Sequence, residues 1–320
     1  MTMSDSDLSR KRILGTKAWL MLGLLSGLIT MFVMGRFDNI DYRDSDNLNI
    51  LRLKHSGEFD ALDMLFVGSS LVYNSIDPAI FSEQGFSIYN LGSPSAGPLF
   101  YRLITEDYLA AVKTPPKRIL MHIDRVTFSP VVDNWREYRV HRYLNTPLSN
   151  EALVLRFGTY ADYPKLFYNS AEMGLRNLVR WITGYYASAD RPDLNRGFQV
   201  SAEIMSQEVI KKQEPYMLPL RKAVFDPAKA RYLLAYLEEL RARGFDVVLF
   251  ELPTNLLPTY FSEAYAADYR ELKAELGREG FVVIPNDLEL GPEFYRNIDH
   301  LNARGAKVLS RDLLDTLVNL

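Results

Sequence analysis

A serine early in the chain and a histidine near its end are the residues whose types and settings suit chemistry. Ser70 stands in Gly68-Ser69-Ser70-Leu71, directly after the apolar run Met64 to Val67, in a segment that continues to Asn90-Leu91-Gly92. His300 stands in Asn297-Ile298-Asp299-His300-Leu301-Asn302-Ala303-Arg304-Gly305-Ala306. A serine hydroxyl is a poor nucleophile until a neighbouring base takes its proton. Imidazole titrates near neutrality and can take and return that proton. Backbone N–H groups of Ser70 or Leu71, and of Gly92, would be suited to hold the oxyanion of an acyl-transfer intermediate. What orients the imidazole is open on sequence alone: a triad through Asp299, a pair oriented by Asn297, or a simple Ser70–His300 dyad. Asp299 adjoins His300, and neighbouring side chains usually diverge. Exchanging the orienting Asp for Asn in a serine protease lowers turnover about ten-thousand-fold, so the choice has consequences.

These residues need elements that bring them together. Met64 to Val67 reads as a buried strand, and Asp77-Pro78 as the capped start of a helix. Phe86 to Leu91 reads as a second strand, ending at Gly92. Pro98 opens an amphipathic helix to about Val112, and Pro115-Pro116 breaks it. Ile119 to Ile123, Phe245 to Phe250 and Phe281 to Ile284 read as the third, fourth and fifth strands. A helix from Asp226-Pro227 to Gly244, one around Glu263 to Leu276, and a last one capped by Asn302 separate or follow them. Strands alternating with helices predict a parallel sheet covered on both faces. In such a sheet the loops bearing Ser70 and His300 open at the same, carboxyl edge. Residues 125 to about 225 lack strand alternation and read as a mainly helical insertion, rich in Trp and Tyr.

Composition narrows the chemistry. The chain has 320 residues, of which 48% are apolar, enough for a large α/β domain with an insertion. The formal net charge of -3 gives no general attraction to nucleic acid. Cysteine is absent, which excludes disulfides, thiolate metal sites and a cysteine nucleophile. No metal-ligand spacing and no phosphate-binding Walker motif is present, so no cofactor is expected. His55, His122, His141 and His300 are the only histidines. His122 lies inside the third strand and reads as a satisfied structural residue. Asp124 and Arg125 read as an ion pair at that strand's end, and Glu251, Pro253 and Asn255 as turn residues able to line a cleft.

Taken together, the blocks resemble the SGNH/GDSL hydrolase superfamily. Gly68-Ser69-Ser70-Leu71 resembles its first block, with Ser69 where the family has Asp and Ser70 matching the nucleophile. Asn90-Leu91-Gly92 resembles the second block, whose glycine N–H contributes to the oxyanion hole. His300 matches the fifth-block histidine, and its continuation resembles a membrane-anchored branch that includes alginate-type O-acetylation proteins. Two positions depart from the pattern. Ile123-Asp124-Arg125-Val126-Thr127 lacks the third-block Asn, leaving Arg125 or Thr127 as substitute donors. Asn297 stands where the family has its acid. The resemblance implies a three-layer α/β sandwich with a parallel sheet of about five strands over residues 62–320. It also implies acyl-ester transfer or hydrolysis on an exported polysaccharide, beside a membrane-bound O-acyltransferase. The alternative is an inactive member that binds glycan or assembles such a complex.

The N-terminus adds a compartment. Arg10, Lys11 and Arg12 precede an apolar segment whose uncharged part runs from Ala18 to Met34, close to the ~20 residues a spanning helix needs. Residues 13–36 thus read as an uncleaved transmembrane anchor, and Lys17 can snorkel to the interface. The positive-inside rule puts residues 1–12 in the cytoplasm and the rest beyond the inner membrane, with 37–61 as a stalk.

Overall fold

The computed structural model describes residues 21, 25–27, 59–94, 96–129, 196–198, 201–254 and 257–320. The sheet is built from β1 (Met64–Gly68), β2 (Ile88–Gly92), β3 (Arg118–His122), β4 (Asp246–Phe250) and β5 (Val282–Ile284). All four pairings are parallel, in the order β2-β1-β3-β4-β5. The chain leaves β1 to one side for β2, then returns to place β3 on the other side. The crevice at such a reversal, outside the carboxyl ends of the strands, is where open α/β sheets bind ligands.

Around the sheet, the described residues form the helices α1 (Ser70–Ser75), α2 (Pro78–Glu83), α3 (Pro98–Ala111), α4 (Gln207–Met217), α5 (Pro227–Ala242), α6 (Glu263–Arg278) and α7 (Ala303–Val318). Side chains along a strand point alternately to the two faces. Leu65, Val67, Ile119, Met121 and Leu249 therefore pack in one core with buried residues of α3, α5 and α6. Met64, Phe66, Leu120, Val248 and Phe250 form the other with α1, α2 and α7. Both faces are covered, which is why β1 and β2 are buried along their whole length. The expected α/β architecture and five-stranded parallel sheet are thus present, with strand ends shifted by one or two residues.

Local signals account for the helix boundaries. Asp77 Oδ1 accepts from Ala79 N at 3.0 Å, and Pro78 follows at the first helical position. Asp226 and Asn302 cap α5 and α7 in the same manner. Gly244, just past α5, has φ of +90°, a left-handed conformation that favours glycine. One element was not expected. The helix α1 begins at Ser70 itself, capped by Ser69 Oγ, which accepts from Leu71 N at 3.3 Å.

The region read as an insertion is described only in part. It contains a short 3-10 turn over Val126–Phe128 and the helix α4, while residues 130–195 lie outside the described residues. The anchor expected at 13–36 lies outside them too, apart from the exposed helical positions 21 and 25–27, as does the stalk up to residue 58. Among the described residues no helix is long and apolar enough to cross a membrane.

Candidate active site

Ser70 is the first residue of α1, at the carboxyl end of β1. It is half-buried, and its hydroxyl makes no hydrogen bond among the described residues. Its N–H is one of the donors that the first turn of a helix leaves without an intrahelical partner.

Two glycines let α1 sit tightly on the sheet. A Cβ on Gly68 would stand 2.2 Å from Val72 Cγ2 and 2.8 Å from His122 Cβ. One on Gly92 would stand 2.4 Å from the Tyr73 backbone nitrogen and 2.9 Å from Ser69 O. Asn90 completes the mounting. It is wholly buried, and its Nδ2 donates to Val72 O at 2.8 Å and Ile76 O at 3.0 Å. Its Oδ1 accepts from Gly92 N at 3.0 Å. The Gly92 N–H, expected to serve an oxyanion, is therefore engaged by Asn90 in this arrangement. What Gly92 supplies here is room for α1.

His300 sits in a closed loop. An antiparallel bridge joins Tyr295 to Leu301, and Arg296 N donates to His300 O at 3.0 Å. Inside the loop, Asn297 Oδ1 accepts from His300 N at 2.7 Å and Asp299 N at 3.1 Å, the Asx-type turn that short polar side chains favour. These two N–H donors identify that atom as the amide oxygen. The same oxygen lies 3.1 Å from His300 Nδ1. An amide oxygen can only accept, so in the neutral ring Nδ1 carries the proton and Nε2 carries the lone pair. Nε2 is buried and without a hydrogen-bond partner among the described residues.

Asp299 is also close. Its Oδ1 stands 2.6 Å from His300 Nδ1, yet the same oxygen has no hydrogen bond among the described residues. The distance is short but the approach is off the N–H direction, and hydrogen bonds weaken steeply with misalignment. We therefore assign orientation of the ring to Asn297 and an electrostatic contact to Asp299. The expected divergence of Asp299 and His300 does not occur, because the Asn297 turn folds the two side chains together.

The loop is held from two sides. Gln213 on α4 accepts from Ile298 N at 3.0 Å, and Ile298 is buried with Leu220 and Tyr260. Asn302 Nδ2 donates to Glu293 O at 2.8 Å while its Oδ1 caps α7. Helix α7 is in turn latched to α1. Ser310 Oγ accepts from Asp77 N at 2.9 Å and donates to Ser75 O at 3.3 Å. Both helices run back from the carboxyl edge at ~1.5 Å per residue, so this latch sets their starts at a similar height. Ser70 and His300 thus reach one edge of the sheet on paired helices. No hydrogen bond joins the Ser70 hydroxyl to His300 Nε2 among the described residues.

At the end of β3 the expectations change. His122 is fully buried, and neither ring nitrogen has a hydrogen-bond partner among the described residues, so it is not the satisfied histidine expected. Burial pushes its pKa down, against the opposing pull of Asp124 and Glu251. Its Nε2 stands 4.0 Å from Asp124 Oδ2. Asp124 Oδ1 accepts from Thr127 N and Thr127 Oγ1, both at 2.7 Å. Thr127, one of two substitute oxyanion donors considered above, is thus buried and bound to its own loop. Among the described residues no cluster of ligating side chains could hold a metal ion.

Sequence reasoning missed Asn90 as the mount of α1 and Gln213 as the support of the His300 loop. Asn90 had a signal, being a polar residue inside an apolar strand. Gln213 had none.

No protein-family model and no curated protein matches the sequence. Among solved structures, the chain is similar to a Bacteroides fragilis protein named as an acylhydrolase, with 11% identity and a TM-score of 0.41 over 85% of this chain and 96% of that one. It is similar to a carbohydrate acetylesterase family member from Sinorhizobium meliloti, with 10% identity and a TM-score of 0.34 over 81% and 100% of the two chains. A Streptococcus pneumoniae protein named for platelet activating factor has 15% identity and a TM-score of 0.31 over 93% and 99%. Likenesses at this level carry no inference about activity, so the case for this site rests on its own residues.

Proposed function

We propose that the chain is a serine acyl-ester enzyme of SGNH type, with Ser70 as nucleophile and His300 as base and then acid. The observation that carries this reading is the state of His300. Its Nδ1 is held by Asn297 Oδ1, and its Nε2 is left with a lone pair and no partner among the described residues. An imidazole fixed in that tautomer, at the edge where an unbonded serine hydroxyl opens a helix, is equipped to take a proton.

The chemistry follows. Ser70 Oγ attacks the acyl carbonyl carbon as its proton passes to His300 Nε2. Collapse of the tetrahedral intermediate breaks the ester C–O bond, and the leaving alkoxide takes the proton from Nε2. Water or a sugar hydroxyl then gives its proton to Nε2 and attacks the acyl-serine, which restores Ser70. The Ser70 N–H, at the start of α1, is a donor available to the oxyanion. Catalytic hydrogen bonds are commonly long in unliganded enzymes and tighten with substrate, which accommodates the unformed Ser70–His300 bond.

The finer assignment is O-acetyl transfer to, or removal from, an exported cell-surface polysaccharide, alongside a membrane-bound O-acyltransferase. It is supported by the block pattern around Ser70, Gly92 and His300 and by the apolar segment 13–36. That segment supports a single-pass inner-membrane protein with its C-terminal domain on the periplasmic side. A serine-reactive fluorophosphonate should label Ser70, and labelling that persists in Ser70→Ala would refute the nucleophile.

Two observations favour a second reading, an inactive subunit that binds glycan or assembles an acetylation complex. The Gly92 N–H is engaged by Asn90, and the third-block Asn is missing. That reading predicts glycan or partner binding that survives both Ser70→Ala and His300→Ala, with no labelling of the unsubstituted protein.

A further inference from the structure

One strand over from Ser70 lies a cleft that the steps above do not use. It opens at the carboxyl ends of β3, β4 and β5, has a volume of about 270 Å³, and is bordered by Asp124, Glu251, Thr254, Asn286 and Phe261 among others. Asp124 follows β3, which pairs directly with β1, the strand that leads to Ser70. The cleft and the serine therefore flank the point where the strand order reverses.

Its chemistry is specific. Three cationic side chains border it, but none is uncommitted. Lys273 Nζ lies 3.1 Å from Glu251 Oε2, Arg270 lies 2.7 Å from Glu263 Oε1, and Arg125 has an interaction of its own. The carboxylates are partnered as well: Glu251 Oε1 also accepts from Tyr269 Oη at 2.8 Å, and Asp124 Oδ1 is bound to Thr127. Lys273 and Arg270 each already face a carboxylate, which leaves them less to offer an anion. What remains unbonded among the described residues is neutral hydrogen-bonding capacity, in the Thr254 hydroxyl and the Asn286 amide nitrogen, together with Asp124 Oδ2. The half-buried ring of Phe261 adds an apolar surface at the same cleft. Polar groups that fix orientation beside an aromatic surface suit a ring with hydroxyls on its edge and C–H bonds on its face. The volume lies just below the ~300–1,000 Å³ usual for ligand clefts, which suits one ring and not a long chain.

We infer that this cleft binds a single neutral sugar unit, placing a neighbouring hydroxyl or ester over Ser70, an inference that rests on the acyl-ester reading above. The test is titration calorimetry on the full-length protein in detergent micelles, with neutral glucose, mannose and N-acetylglucosamine oligosaccharides, and with inorganic phosphate as the anionic probe. At least one saccharide binds, Phe261→Ala and Asn286→Ala each weaken it tenfold or more, and Phe261→Tyr retains it. Ser70→Ala binds as the unsubstituted protein does. Circular dichroism of each variant separates lost binding from lost folding, and Phe261→Tyr serves as the folded control. Phosphate binding without saccharide binding, binding of neither, or saccharide binding indifferent to both Phe261→Ala and Asn286→Ala overturns the inference. Fluorophosphonate labelling of Ser70 is read in parallel. Labelling without saccharide binding overturns the sugar site alone, and saccharide binding without labelling overturns the acyl-ester reading alone.

Discussion

Asn297 Oδ1 stands 3.1 Å from His300 Nδ1, and the same oxygen accepts the backbone N–H of His300 at 2.7 Å. One amide thus shapes the loop and fixes the tautomer of the ring it carries. It does with a neutral oxygen what a carboxylate does in a serine-protease triad, but it adds no negative charge to stabilise an imidazolium.

That difference can be measured. Asn297→Asp keeps an acceptor toward His300 Nδ1 and adds the charge that a triad carboxylate supplies, so Ser70 acylation is retained or faster. Asn297→Ala removes the orienting acceptor and lowers the rate, within the ~10²–10⁴-fold that a positioned acid–base group contributes. Acylation rates from stopped-flow labelling between pH 5 and 9 check both.

Gly92→Ala is expected to destabilise the fold. The new Cβ meets the Tyr73 backbone nitrogen at 2.4 Å and Tyr73 Cα at 2.8 Å, neither of which can swing away as a side chain would. Overpacking of this kind costs about 1–3 kcal/mol. Urea denaturation monitored by circular dichroism gives the loss. An unchanged midpoint would contradict the close seating of α1 on Gly92.

His122 makes stability depend on pH. Burial holds its folded-state pKa below the ordinary histidine value. Below about pH 6.5 the unfolded chain takes up a proton that the folded chain refuses, so stability falls as pH falls through that value. One proton contributes a slope of at most about 1.4 kcal/mol per pH unit. Chemical denaturation at pH 7.5, 6.5 and 5.5 should show a steeper decline in the unsubstituted protein than in His122→Leu.

Much of this was legible in the residues. Every strand lies within two residues of its hydrophobic run, because a sheet covered on both faces leaves uninterrupted apolar stretches such as Met64 to Val67. Caps at Asp77, Asp226 and Asn302 were readable because a short polar side chain before a helix has a specific partner in the first-turn N–H groups. The site was legible as residue types in order, but not as contacts. Whether Asn297 or Asp299 would orient His300 depended on a turn that the Asn297 side chain itself closes. The fate of the Gly92 N–H depended on Asn90, two residues earlier, a polar residue in an apolar strand whose partners are set only when α1 packs against it. His122 departs from the expected satisfied histidine because nothing local in its strand shows that both ring nitrogens lack a partner among the described residues.

Intact-protein mass spectrometry with peptide mapping after fluorophosphonate treatment decides whether Ser70 is a nucleophile activated by His300. One adduct is expected, on Ser70, lost in Ser70→Ala and slowed at least a hundredfold in His300→Ala, in line with the ~10²–10⁴-fold that a positioned base contributes. No adduct on the folded protein, or an adduct formed at the same rate without His300, would contradict it.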